Sequence, residues 1–134
     1  MIRLTLFLAL LFPISSVFAA EESEGGAKFV EICMACHKAD RSPDMLAPPI
    51  FAVKNHYIRV YSDRESFVAR VKQWLAKPDI NQTLMPGAVR RFQVMPPLDL
   101  DPAQAEAIAG FIYDTNFNEP DWYQQHFQAE HGTN

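Results

Sequence analysis

The sequence has few cysteines and no excess of basic side chains, and both shortages exclude classes of protein. Its 134 residues include 2 cysteines, too few for a disulfide-stapled scaffold or for a zinc or iron–sulfur site built on four thiolates. Asp and Glu number 16 against 12 Lys and Arg, giving a formal net charge of -4. A nucleic-acid binder needs a basic face to neutralise phosphates, so we expect no nucleic-acid partner. The same balance disfavours docking on anionic membranes.

Long hydrophobic runs are missing except at the N-terminus. Arg3 gives a positive start, residues 4–12 are largely apolar, and a small residue at Ala19 offers a cleavage point. This layout is typical of a secretory signal peptide. The apolar run is about half of the ~20 residues that a spanning helix needs. We expect cleavage of residues 1–19 and export of residues 20–134 to the periplasm, without a membrane span; the alternatives are cleavage one residue later and an uncleaved anchor.

The remaining chain predicts one all-α domain. Removing 19 residues from 134 leaves 115, which is enough for one hydrophobic core, and an apolar content of 49% excludes wholesale disorder. No internal repeat or alternating strand pattern is found. Helical periodicity predicts three or four helices with long loops between them: residues 28–36, 62–77, a helix after Asp101 and a short one near 119–121. Such loops need something to pack against, which indicates a large apolar cofactor.

Capping residues predict where two of these helices begin. Ser62 and Glu65 have capping-box spacing, and Pro78 cannot continue the helix that follows. Asp101 followed by Pro102 is typical of an N-cap and first turn. The small polar residues 21–26 are expected to be mobile, and residues 79–100 to be irregular.

Cys33, Cys36 and His37 form a Cys-x-x-Cys-His motif, the spacing at which haem is attached covalently. One helical turn can present both thiols to the two vinyl groups at one porphyrin edge. The histidine that follows is then carried under the ring, where an imidazole nitrogen can bind the iron. A methionine thioether is the usual sixth ligand in an electron carrier. The motif therefore predicts one haem c, bound through two thioethers.

Other uses of two close cysteines fit less well. A thioredoxin-like dithiol would lie beside a βαβ pattern, which the chain lacks. A disulfide across so short a loop would add little stability. A zinc site would need two more ligands, and His56, His126 and His131 do not form a pair at zinc-site spacing. We expect the last two of these histidines to be exposed.

From Gly25 to Tyr113 the sequence resembles the small soluble class I cytochromes c of the bacterial periplasm. The likeness is carried by Gly25 and Phe29, which lie eight and four residues before Cys33. Two further segments are similar to the family's Gly-Pro-x-Leu segment and its Tyr-Leu-x-x-Pro helix end, namely Ala47-Pro48-Pro49-Ile50 and Trp74-Leu75-x-x-Pro78. The chain departs from the family in having Lys38 after the motif and a C-terminal extension.

The resemblance implies the cytochrome c fold, wrapped around one haem, with a core over residues 25–115 and an extension over 116–134. It also implies that the first helix crosses the last one closely at Gly25. The carbonyl of Pro48 would accept a hydrogen bond from His37, which fixes the imidazole tautomer and makes it a better donor to iron.

The sixth ligand is chosen among the methionines. In the resembling bacterial proteins a Met-Pro shortly before the last helix is the axial ligand, which favours Met95. Met85 lies close to the position used in mitochondrial-type proteins, and His56 would give a bis-His iron; both stay open. Met45 is expected to fill the haem crevice. Met95 is preferred because a short tether to a packed helix fixes the sulfur.

These observations predict a monomeric periplasmic electron carrier that is not itself an enzyme and that meets redox partner proteins transiently. One alternative is a haem protein with a vacant or labile sixth site, acting as a ligand sensor or a haem enzyme. Another is an electron-accepting subunit of a periplasmic dehydrogenase. The stripe of Trp122, Tyr123, His126 and Phe127 in the extension is expected to fold onto the body rather than to bind a partner.

Overall fold

The computed structural model describes residues 23–38 and 44–132, apart from the side chains of Asp121 and Trp122. Within these residues the chain is all-helical, with no strand, as predicted. The predicted number of three or four helices is wrong, because the described residues form six: α1 (Glu24–Ile32), α2 (Ile50–Ile58), α3 (Arg64–Ala76), α4 (Pro86–Phe92), α5 (Pro102–Asp114) and α6 (Asp121–His131). The proposed signal peptide, residues 1–19, lies outside the described residues.

Helix α5 is the centre of the packing. Helices α1 and α3 both lie along it, and α2 makes a smaller contact. Its buried face carries Ala105, Ile108, Ala109 and Ile112. These residues form the main core with side chains of α1 and α3, among them Phe29, Phe67, Val68 and Val71. No helix among the described residues is both long and apolar enough to cross a membrane.

The crossing of α1 and α5 depends on a glycine. A Cβ atom at Gly25 would overlap the backbone carbonyl of Ala107, so any larger residue would push the two helices apart. The close crossing expected at Gly25 is therefore present. Its partner is α5, which is not the last helix, because α6 follows it. The rings of Phe29 and Phe111 pack one turn further along, with their centroids 5.4 Å apart.

Side-chain caps set helix starts that differ in part from the prediction. Helix α1 begins at Glu24 because the Ser23 hydroxyl accepts a hydrogen bond from the Gly26 N–H, so residues 24–26 are helical. Helix α3 is capped by Asp63, whose carboxylate accepts from the Ser66 N–H at 2.9 Å; the predicted cap at Ser62 is wrong. The predicted N-cap Asp101 is confirmed, and with Gln104 it forms a full capping box.

Helices α2 and α4 lie in segments for which no helix was predicted. Helix α2 buries Ile50, Phe51, Ala52 and Tyr57, which do not form a single stripe along its length. Helix α4 has only seven residues, begins on Pro86 and buries none of its residues. A periodic apolar face is the main sequence signal for a helix, and neither segment has one.

The C-terminal helix packs on the outside of α2. Tyr123 is 2% exposed and meets the Phe51 ring edge-on, with their centroids 4.7 Å apart. Phe127 lies beside Tyr123, and Phe117 contacts both this second cluster and the main core. The expectation that this stripe folds onto the body is confirmed for Tyr123 and Phe127 and is wrong for His126, which is exposed. The side chain of Trp122 lies outside the described residues.

Candidate functional site

The Cys-x-x-Cys-His motif forms one turn at the end of α1. The Cys33 N–H donates to the Phe29 carbonyl, and the His37 N–H donates to the Cys33 carbonyl at 2.9 Å. This turn keeps both sulfurs and the imidazole on one short piece of chain. Cys33 is 8% exposed and belongs to the main core, whereas Cys36 is exposed.

His37 is held by a hydrogen bond across the loop. Its Nδ1 lies 2.7 Å from the carbonyl oxygen of Pro48. A carbonyl only accepts, so Nδ1 carries the proton and Nε2 keeps its lone pair. Burial lowers the pKa of His37, against the opposing effect of the Pro48 bond, so the neutral ring is favoured. A neutral imidazole fixed through its other nitrogen is the form that binds metals.

The Cys33 thiol lacks the electrostatics of a redox nucleophile. Burial raises the pKa of Cys33 to about 11, with a smaller contribution from Cys36. A nucleophilic cysteine of the thioredoxin type needs a pKa below the ordinary value, so that the thiolate forms near neutral pH. The described residues also lack the strands of a βαβ unit. Both observations disfavour the dithiol interpretation.

The two methionines that the sequence left open lie in different places. Met95 packs against the main core, which contains Cys33. Its segment is joined to α3 by a hydrogen bond from the Leu98 N–H to the Leu75 carbonyl at 2.8 Å. Met85 packs instead against the second cluster, formed by Phe51, Ala52 and Tyr123.

His56, the third candidate for the sixth ligand, faces α6. Its Nδ1 lies 2.7 Å from the Ala52 carbonyl, and its Nε2 lies 2.8 Å from Nε2 of His131. Both ring nitrogens are therefore engaged within the protein. The separation of 75 residues between the two histidines explains why sequence spacing gave no sign of the pair.

Two cations that the sequence offered as candidates for propionate contact or partner docking, Arg70 and Lys54, have partners within the protein. Arg70 is 8% exposed, donates to the Gln82 carbonyl at 2.6 Å and lies over the ring of Trp74. Lys54 donates to the carbonyls of Tyr113 and Thr115, both at 2.7 Å, at the C-terminal end of α5. A cation at a helix C-terminus is stabilised by the helix dipole.

The donor set at the end of α1 fits a c-type haem. It offers two unbridged thiols on one turn and an imidazole whose Nε2 is unprotonated. It also has a thioether in the same core, Met95. Comparison of the chain with protein-family models, with curated proteins and with solved structures found no match.

Proposed function

We propose that the chain is a periplasmic monohaem c-type cytochrome, a soluble one-electron carrier with the cytochrome c fold. Cys33 and Cys36 would hold the haem through two thioethers, and His37 and Met95 would bind its iron. The observation that carries the proposal is the 2.7 Å hydrogen bond between His37 Nδ1 and the Pro48 carbonyl. That bond keeps the proton on Nδ1, so Nε2 of His37 has a free lone pair with which to bind iron.

The haem, when bound, supplies an iron that cycles between the ferric and ferrous states. The residues of the chain tune that cycle. The Pro48 carbonyl keeps the His37 ring in one tautomer and raises its basicity. The apolar core around Cys33, with Phe29 and Ile108, excludes water from that side of the site. Low dielectric and a thioether ligand together favour the ferrous state and raise the potential.

The choice of Met95 is supported by packing. Met95 is partly buried and packs against the core that contains Cys33, on a segment joined to α3 through Leu98 and Leu75. Met85 packs instead against the second cluster, which contains Tyr123 of α6. Ligands held by packing and backbone bonds keep their geometry in both oxidation states, which lowers the reorganisation that electron transfer requires.

The ferric absorption spectrum tests the proposal. We expect a low-spin protein with the weak far-red sulfur-to-iron band. Met95→Ala should abolish that band, and the matched control Met85→Ala should retain it. The reverse result would move the ligand to Met85. A high-spin wild type that binds carbon monoxide at once would replace the carrier by a sensor or a haem enzyme.

Covalent attachment is tested separately by mass and yield. Cys36→Ser leaves one thiol for attachment, so we expect a poorly matured protein whose haem is held by one thioether. Normal yield from this variant, or a colourless wild type with the mass of the bare polypeptide, would contradict the proposal. Size-exclusion chromatography should give a monomer, whereas co-purification with a large partner would indicate a dehydrogenase subunit.

A further inference from the structure

Helix α6 brings a second set of metal-binding side chains to α2. Suitable donor atoms of His56, Glu130 and His131 all lie within 4.8 Å of one another. The two imidazoles face each other through their Nε2 atoms at 2.8 Å, and Glu130 Oε2 lies 4.0 Å from His131 Nε2. None of these residues belongs to the Cys-x-x-Cys-His motif or its partners.

His56 has the orientation and the tautomer that a metal ligand needs. Its Nδ1–H donates to the Ala52 carbonyl, so Nε2 keeps its lone pair and points to α6. A histidine oriented through a backbone carbonyl in this way is the usual arrangement at metal sites. The ring is further fixed by Phe127, which meets it edge-on with the centroids 5.3 Å apart.

A metal ion can fit between the two Nε2 atoms after a small movement of the imidazole side chains. In the absence of metal, His131 Nε2 must carry the proton that His56 accepts, and a metal ion would replace that proton. Two nitrogens at about 2.0–2.1 Å from a tetrahedral zinc ion lie roughly 3.3 Å apart. The pair must therefore open by about 0.5 Å. His131 and Glu130 are exposed in the last turn of α6, so they are free to move by that amount.

Glu130 adds a carboxylate oxygen to the two imidazole nitrogens of His56 and His131. Its other oxygen, Oε1, lies 3.5 Å from Nε2 of His126, one turn earlier on α6. That contact positions the carboxylate between the two histidines of α6. Two imidazoles and one carboxylate suit zinc, and the same nitrogen donors bind copper and nickel, whereas calcium and magnesium prefer oxygen ligands.

We propose that His56, Glu130 and His131 form a binding site for a divalent transition metal of the zinc class, which joins the end of α6 to α2. Three protein ligands leave the fourth tetrahedral position to water. The ion would tie the C-terminal extension to the body of the domain. This proposal is independent of the haem, because it uses no residue of the proposed haem site.

Equilibrium dialysis of the haem-loaded protein against zinc, followed by elemental analysis, tests the site. We expect one tightly bound zinc per chain, and at least about tenfold weaker binding in His131→Gln and in Glu130→Gln. The control His126→Gln removes a histidine of α6 that is not a proposed ligand, and it should bind zinc much more tightly than His131→Gln. Less than one-tenth of a zinc per chain in the wild type, or equal losses in His126→Gln and His131→Gln, would overturn the assignment.

A thermal melt with and without zinc gives a second measurement. Zinc should raise the melting midpoint of the wild type and leave that of His131→Gln unchanged, since a ligand stabilises only the state that binds it. An equal shift in both proteins would overturn the proposal. The haem spectrum of His131→Gln should match that of the wild type. Failure of zinc binding with a normal spectrum would leave the proposed electron carrier intact.

Discussion

At the scale of single residues, the close approach of α1 to α5 depends on the absence of one methyl group. Gly25 faces the backbone of α5, where a side chain cannot be relieved by choosing another rotamer. Gly87 is different, since a Cβ atom there would meet only the end of the Arg90 side chain at 3.8 Å. The two glycines therefore form a matched pair, one required by packing and one not.

Gly25→Ala should destabilise the protein by about 2 kcal/mol or more, because the added carbon forces α1 away from α5. Gly87→Ala should be neutral or stabilising by roughly 0.5–1 kcal/mol, since alanine suits a helix better than glycine. Urea denaturation followed by far-UV circular dichroism measures both. Equal stability of Gly25→Ala and the wild type would contradict the described crossing.

Much of the candidate site could be predicted at this scale, because its signals are local. The attachment motif and the Asp101 cap each depend on neighbours a few residues away. The role of Gly25 was expected from the family resemblance, because its contact, the Ala107 carbonyl, lies far along the chain on α5. The pairing of His56 with His131 could not be predicted, since it arises only after α6 folds back across 75 residues.

At the scale of elements, α6 behaves as an addition to a core that is complete without it. Its buried ring, Tyr123, belongs to a small cluster with Phe51 and Ala52. Phe117 precedes α6 and already closes the main core against Phe29, with the ring centroids 5.9 Å apart. The helix thus covers α2 without taking part in the α1–α3–α5 packing.

Truncation after Asn118 should leave a folded, haem-loaded protein of reduced stability. The truncation uncovers Phe51 and Ala52, which α6 buries. We expect the melting midpoint to fall by at least about 4 °C, the change that 1 kcal/mol produces in a domain of this size. Removal of residues 133–134 alone is the control and should have no effect. Loss of haem binding on truncation would instead make α6 part of the core.

The pairing of α3 with α5 includes an exposed ion pair whose contribution depends on pH. Arg64 donates to Oδ1 of Asp114 from Nε and to Oδ2 from its Nη2, and this hydrogen bonding lowers the pKa of Asp114 below its usual value. A carboxyl with a lowered pKa in the folded state stabilises it above the unfolded pKa. That contribution is lost as the pH falls through the folded value.

Asp114→Asn should therefore be slightly less stable than the wild type at about pH 7, as is usual when an exposed ion pair is lost. The difference between the two proteins should vanish in strong acid, once the wild-type carboxyl, whose pKa is lowered, has taken up its proton. Urea denaturation at the two pH values measures it. A difference that persists unchanged in acid would show that the ion pair is not its source.

At the scale of the whole molecule, the charge balance sets the kind of partner that approaches. If the chain is the proposed electron carrier, its formal net charge of -4 would attract basic partner proteins over a distance that salt shortens. Electron exchange with a basic partner should slow roughly tenfold as the salt rises from about 10 mM to about 200 mM. Stopped-flow kinetics measures the rate, with a neutral small-molecule reductant as control. A rate independent of salt would exclude electrostatic steering.

Of the overall arrangement, only the all-α fold class could be predicted from the sequence. The all-α character follows from the lack of an alternating strand pattern, but the central place of α5 depends on contacts with α1 and α3 that no local pattern encodes. Helix α2 was missed because its apolar residues do not form a stripe, and α4 because it is short and buries nothing.

The burial of Cys33 has a consequence for biosynthesis. Its sulfur belongs to the same core as Phe29 and Ile108, where no maturation enzyme can reach it once α1 has packed on α5. If the proposed thioether forms at Cys33, it must form while the polypeptide is still open, and the helices must close afterwards. Covalent maturation would then come before folding, and a chain that packed first would close off the Cys33 sulfur before attachment.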